Sequence, residues 1–153
     1  MAKKVPIVFN ETTGDLDELQ VGDFIDIGKE LVQGWNRTGS TLNKGQAVNL
    51  TYHVVSGEMR MSLAKANDIE WNECKGFVFE TLLTDTEGYV LTEKELDGFS
   101  MLTPGLDYYL SESTAGTMQD IPPTGVRSRI QKLGYAIKPD TLFVKLEMPI
   151  KRR

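Results

Sequence analysis

At 153 residues the chain has room for one ordinary domain with its own core, or one domain and an arm, so a staple of disulfides or metal is not required. Its formal charge of −5 argues against a general nucleic-acid binder, which needs a basic surface. No apolar run approaches the roughly 18 residues of a membrane span, and the single cysteine, Cys74, excludes an internal disulfide. Lys3 and Lys4 lead into VPIVFNETTG, where a polar turn arrives too early for the core of a signal peptide. These features read as a protein made in the cytoplasm, with neither membrane nor nucleic acid as partner.

In chain order, the elements read as strands almost throughout. KVPIVFN alternates and is rich in β-branched residues, and ETTGDLDELQVGD is acidic and turn-forming. FIDIG is a short alternating strand, while ELVQGWNRTGSTLNKGQ mixes short runs with loop residues. AVNLTYHVV is a strong strand: Val48, Leu50, Tyr52 and Val54 share one face by period two, with Asn49, Thr51 and His53 on the other. SGE turns it into MRMSLAKA, which makes a hairpin. GFVFETLL, YVLTEKEL, LDYYLS, IQKLGYAI and TLFVKLEMPI follow, the last with Leu142, Val144 and Leu146 alternating against Phe143, Lys145 and Glu147.

Thr103-Pro104-Gly105 fits a type II turn, in which Pro sets φ near −65° and Gly accepts a positive φ. Helical signals are brief: Thr92 and Glu95 resemble a capping box, and AKANDIEWNEC offers a single turn. The expected architecture is therefore all-β, a small antiparallel β-barrel or sandwich over residues 41–153 preceded by an extended N-terminal arm over residues 1–40. The break is placed at GWNRTGSTLNKG, where Gly, Asn, Ser and Thr concentrate.

Candidate chemistry is sparse. His53 is the only histidine and falls on the polar face of its strand; one His and one Cys cannot make a structural zinc site of four protein ligands without two carboxylates. A cysteine nucleophile would need His53 brought beside Cys74 as its base. The acidic run from Asp15 to Asp26 fails the calcium-loop spacing, because Leu19 and Gln20 stand where an oxygen ligand and the glycine belong. GDFIDIGKE lacks the glycine spacing of a phosphate loop. Trp35 and Trp71 have the rings to stack a sugar, although isolated tryptophans more often anchor cores and interfaces. No catalytic constellation emerges, so the expectation is a non-enzyme without cofactor or metal.

The segment GFSMLTPGLDYYLSESTAGTMQDIPPTG, followed by GYAI and TLFV, resembles a β-module of bacteriophage virion proteins: head-decoration proteins, head fibres and tail-fibre segments. The matching residues are Gly98, Leu102, Thr103, Pro104, Gly105, Tyr108, Tyr109, Leu110, Ser111, Gly116, Pro122, Pro123, Gly134, Ala136 and Leu142. NKGQAVNL, residues 43–50, is similar to the opening strand of the same module, and TGDLDELQVGDFID to short repeats of phage fibre proteins.

The resemblance implies a virion structural protein on the capsid surface. It would assemble as a homotrimer and attach to the major capsid protein through its arm, with Val5, Ile7, Phe9, Asp15, Asp17, Glu18 and Asp23 at that contact. Tyr108, Tyr109, Pro122 and Pro123 would lie between subunits, one tyrosine entering the core and the other packing on a neighbour. The alternative is a tail or baseplate fibre component that binds a host receptor or glycan, marked by exposed aromatics beside polar groups at a loop tip.

Overall fold

The computed structural model describes residues 30–151 and two short strands before them, β1 (Ile7–Asn10) and β2 (Asp15–Glu18). Val5, Asp23 and the FIDIG stretch lie outside the described residues. Every regular element described is a strand, and the all-β expectation holds. The capping-box reading at Thr92–Glu95 and the helical turn in AKANDIEWNEC are not realised: the first lies inside a strand, the second is an irregular loop.

Five strands close a barrel: β3 (Glu30–Asn36), β4 (Ala47–His53), β5 (Glu58–Leu63), β6 (Gly76–Val78) and the first half of β7 (Glu87–Leu96). Their order is β3-β5-β4-β6-β7, and β7 returns to β3, so no edge is left in the ring. All contacts are antiparallel except β3 with β5, where Trp35 and Asn36 run parallel to Arg60 and Met61. The barrel is filled by Leu42, Val48, Met61, Val78 and Val90, with Leu50, Leu63 and Leu82 at its rim.

The second half of β7 leaves the ring. Glu93–Leu96 pairs with β12 (Thr141–Lys145), and the sheet continues through β11 (Lys132–Lys138) and β8 (Asp107–Leu110) to β9 (Met118–Gln119). Lys94, at φ 82°, stands within this diverging half. A separate small pair joins β10 (Arg129–Ile130) to β13 (Ile150–Lys151). The larger core lies against this outer sheet and gathers Phe77, Leu91, Leu96, Tyr108, Leu110, Leu133, Leu142 and Val144.

At Phe77–Val78 and Val90–Leu91 the sheet is thus buried on both faces: Val78 and Val90 fill the barrel, Phe77 and Leu91 the outer core. That is why these pairs read as adjacent apolar residues rather than alternating ones, while Tyr89 beside them is exposed.

Two expectations need correction. The barrel begins at Glu30, because β3 pairs with β7 over Glu30–Trp35; a boundary at residue 40 would cut one of its staves away. The acidic ETTGDLDELQVGD stretch is not all turn, since Asp15–Glu18 is a strand paired with Ile7–Asn10.

The face assignment of β4 also fails at its outer end. Val48 is fully buried, but Tyr52 is 61 % and Val54 81 % exposed, because the β4–β5 hairpin runs past the barrel's end.

The Pro104-Gly105 turn forms as read. Gly105 has φ 87°, and Leu106 N–H donates to Thr103 O at 3.1 Å, the i to i+3 bond of the turn. The turn is clamped on both sides: Gly105 N–H donates to Ala136 O at 2.8 Å and Ala136 N–H to Leu106 O at 3.0 Å. Of the tyrosine pair it launches, Tyr108 is the inward one, and its hydroxyl accepts Thr103 N–H at 2.9 Å.

Candidate functional site

The outer face of the β4–β5 hairpin is polar by register. Asn49 stands opposite Ser62, Thr51 opposite Arg60, and His53 opposite Glu58. This face is the floor of a cleft of about 580 Å³.

One wall is the irregular loop 64–75. Asp68 Oδ1 accepts Glu70 N–H at 2.8 Å and Trp71 N–H at 2.9 Å, an Asx-type turn that presents the tryptophan. These backbone donors, Trp71 first, hold the Asp68 carboxyl below its ordinary range. Lys65 N–H donates to Trp71 O at 2.9 Å, and Asn49 Nδ2 donates to Glu73 O at 2.9 Å, tying the loop to the floor.

The opposite wall is the end of β3. Arg37 lies 4.3 Å over the Trp35 ring and bonds Glu58 at 2.6 Å and Asp85 at 3.2 Å. Glu58 also takes Arg60 Nε at 3.1 Å and the Ser56 hydroxyl at 3.1 Å. The Arg37 bond, followed by those from Arg60 and Ser56, pulls the Glu58 carboxyl down to about 2. Ser56 N–H donates to His53 Nδ1 at 3.3 Å, so His53 belongs to this network.

Cys74 does not share it. The thiol is fully buried, bonds Gly76 O at 3.1 Å, and is pushed up to about 12 by burial, which keeps it protonated at neutral pH. Among the described residues no group of three or more His, Cys, Asp or Glu gathers to hold a metal ion.

The residues singled out in the sequence fall in three places. Ile7 and Phe9 lie in β1, and Asp15, Asp17 and Glu18 in β2, with Ile7 opposite Glu18 and Phe9 opposite Leu16. Tyr108 and Pro123 are buried, which leaves half-buried Tyr109 and exposed Pro122 with surface for a neighbour. Trp71 is brought into the cleft; Arg37, Thr38, Tyr52 and Arg60 join it there without having been marked as site residues in the sequence. The polar face Asn49, Thr51, His53 was the one legible sign of it.

The Ser-Thr-Gly-Pro segment is organised by a residue the sequence did not flag. Glu112 accepts Gly125 N–H at 2.8 Å, Thr124 N–H at 3.0 Å and the Ser128 hydroxyl at 2.6 Å, closing the Pro122-Pro123 loop on itself. The Ser128 bond, with the two backbone donors, holds its carboxyl at about 2.

A carboxyl lowered on folding stabilises above its ordinary value near 4.5, and that stabilisation is lost as pH falls toward 2. Glu112→Gln should therefore melt below the parent at pH 7, and the gap should close as pH drops from 4.5 to 2. Glu58 titrates in both proteins and cancels from the difference. Melting curves across that range decide it: a gap that stays constant with pH removes Glu112 as the loop's anchor.

No family model matches this chain, and no curated protein or solved structure matches it either.

Proposed function

We propose that this chain is a non-enzymatic structural protein of a phage virion, a head-decoration or head-fibre protein that docks on the major capsid protein through its N-terminal segment and associates with copies of itself, with a homotrimer as the expected state. One observation carries the docking part. Among the described residues, strands β1 and β2 form a two-stranded sheet of their own and pair with no strand of the nine-stranded sheet. An isolated two-stranded hairpin is marginally stable in water and offers two free edges, so a partner surface that adds a strand completes it. The closed barrel supports the same reading: it gives a small stable body with no open ring edge to aggregate. The virion placement rests on the sequence resemblance.

Deleting residues 2–29 should leave the barrel's melting transition in place and abolish binding to capsids of the encoding phage. Retained binding sinks the docking role. The full chain should be found in purified virions at on the order of hundreds of copies, as closed symmetric assembly over a capsid requires. Absence from virions ends the reading altogether.

The aromatic cleft favours a second reading, a tail or baseplate fibre component that engages a host receptor; a dozen copies or fewer per virion would select it.

A further inference from the structure

We propose that the cleft over the β4–β5 hairpin binds a neutral carbohydrate. This deepens the receptor-binding reading and rests on it for biological meaning, although sugar binding by the isolated chain is measured without any virion.

A pyranose has an apolar C–H face and a rim of hydroxyls, so its site needs an aromatic plane beside short hydrogen-bonding side chains. Both are present. Trp71 is 37 % exposed and belongs to neither core cluster, yet the Asp68 turn holds its backbone in place. An indole kept at the surface by a hydrogen-bonded loop is an anchor whose backbone ordering cost is met in part before a ligand binds. Tyr52, 61 % exposed, also borders the cleft, although strand alternation turns its ring away from the floor. The floor presents the Thr51 and Ser62 hydroxyls, which make no hydrogen bond to another described side chain.

Charge selects the class. A site for phosphate, uronate or sialate needs surplus positive charge. Here Arg37 and Arg60 share Glu58, Arg37 also holds Asp85, and Asp68 adds a carboxylate on the opposite wall. The cationic groups are already balanced, while the guanidinium N–H groups still donate and the carboxylate oxygens still accept hydrogen bonds. The cleft volume of about 580 Å³ lies within the roughly 300–1,000 Å³ typical of small-ligand sites.

The full-length protein is screened by ligand-observed NMR against maltotriose, chitotriose and lactose, with sialyllactose and digalacturonate as anionic probes. At least one neutral sugar should bind, and Trp71→Ala should weaken it at least tenfold with an unchanged melting temperature. Thr51→Val, which keeps the strand-favouring shape and removes the hydroxyl, should weaken it severalfold. Tyr135→Ala, at an exposed ring stacked on Phe143 and outside the cleft, should bind as the parent does. Binding that survives both cleft variants, preference for the anionic probes, or no binding to any neutral sugar each overturns the proposal.

Discussion

Gly134→Ala is expected to lower the melting temperature by roughly 8–16 °C, the equivalent of about 4 kcal/mol for a chain of this size. Gly134 lies in β11 between two partners, opposite Val144 of β12 and Tyr108 of β8. A Cβ built there stands 2.1 Å from Phe143 O, 3.0 Å from its carbonyl carbon and 3.2 Å from Val144 Cα. All three are backbone atoms, so no rotamer change relieves the overlap; β11 and β12 must part, and the hydrogen bonds between them go with the packing of Leu133, Leu142 and Val144.

Gly105→Ala is the comparison. Gly134 has φ 156° and Gly105 φ 87°, but at Gly105 nothing lies within 4 Å of the Cβ position. There only the left-handed backbone is strained, at about 1–2 kcal/mol. If both variants melt together, close strand approach is not what selects glycine at 134.

Gln131→Leu is expected to cost about 3–5 kcal/mol. The Gln131 side chain is buried and behaves as a piece of backbone. Its Oε1 accepts Cys74 N–H at 2.7 Å, and its Nε2 donates to Cys74 O at 2.9 Å and Glu147 O at 3.1 Å. It thereby ties the end of the 64–75 loop to the segment after β12. Leucine fills similar volume but leaves one buried N–H and two carbonyls without that partner, and each such group costs about 1–3 kcal/mol. Denaturant melts give the stability, and amide exchange at Cys74 gives the mechanism. Faster exchange there without a loss of global stability would show that the amide bridge secures only the loop. Since that loop carries Trp71, the same variant should also loosen the cleft wall.

The all-β class was legible because alternation is local. β4 and β12 carry their pattern in consecutive residues, and Leu142 and Val144 are buried while Lys145 is exposed, as their spacing requires. The Pro104-Gly105 turn was legible for the same reason: both dihedral demands sit in one dipeptide. The capping-box pattern at Thr92–Glu95 was a local signal too, but weaker than what opposed it. Pairing of Glu93–Leu96 with Leu142–Lys145 supplies a ladder and buries Leu96, and one helical turn offers neither.

What the sequence by itself determined, then, was the strand content, the hairpin, the tight turn and the poverty of catalytic groups such as His and Cys. Closure of the barrel was decided only by tertiary structure, and β3 shows why. Its buried positions include Gly34 and Asn36, not the apolar residues that mark an inward face. Gly34 leaves space for Leu50 and Met61, whose side chains come within 3.2 Å of its Cβ position; Asn36 spends its amide on Ser40 O and Leu82 O. Such a strand looks like a loop until its partners are present. The cleft likewise exists only in three dimensions, because Arg37, Thr51, Arg60 and Trp71 come from segments that no sequence period relates. Periodicity records which side of one strand faces a core; which strands meet is set by side-chain volumes and hydrogen bonds between residues far apart in the chain.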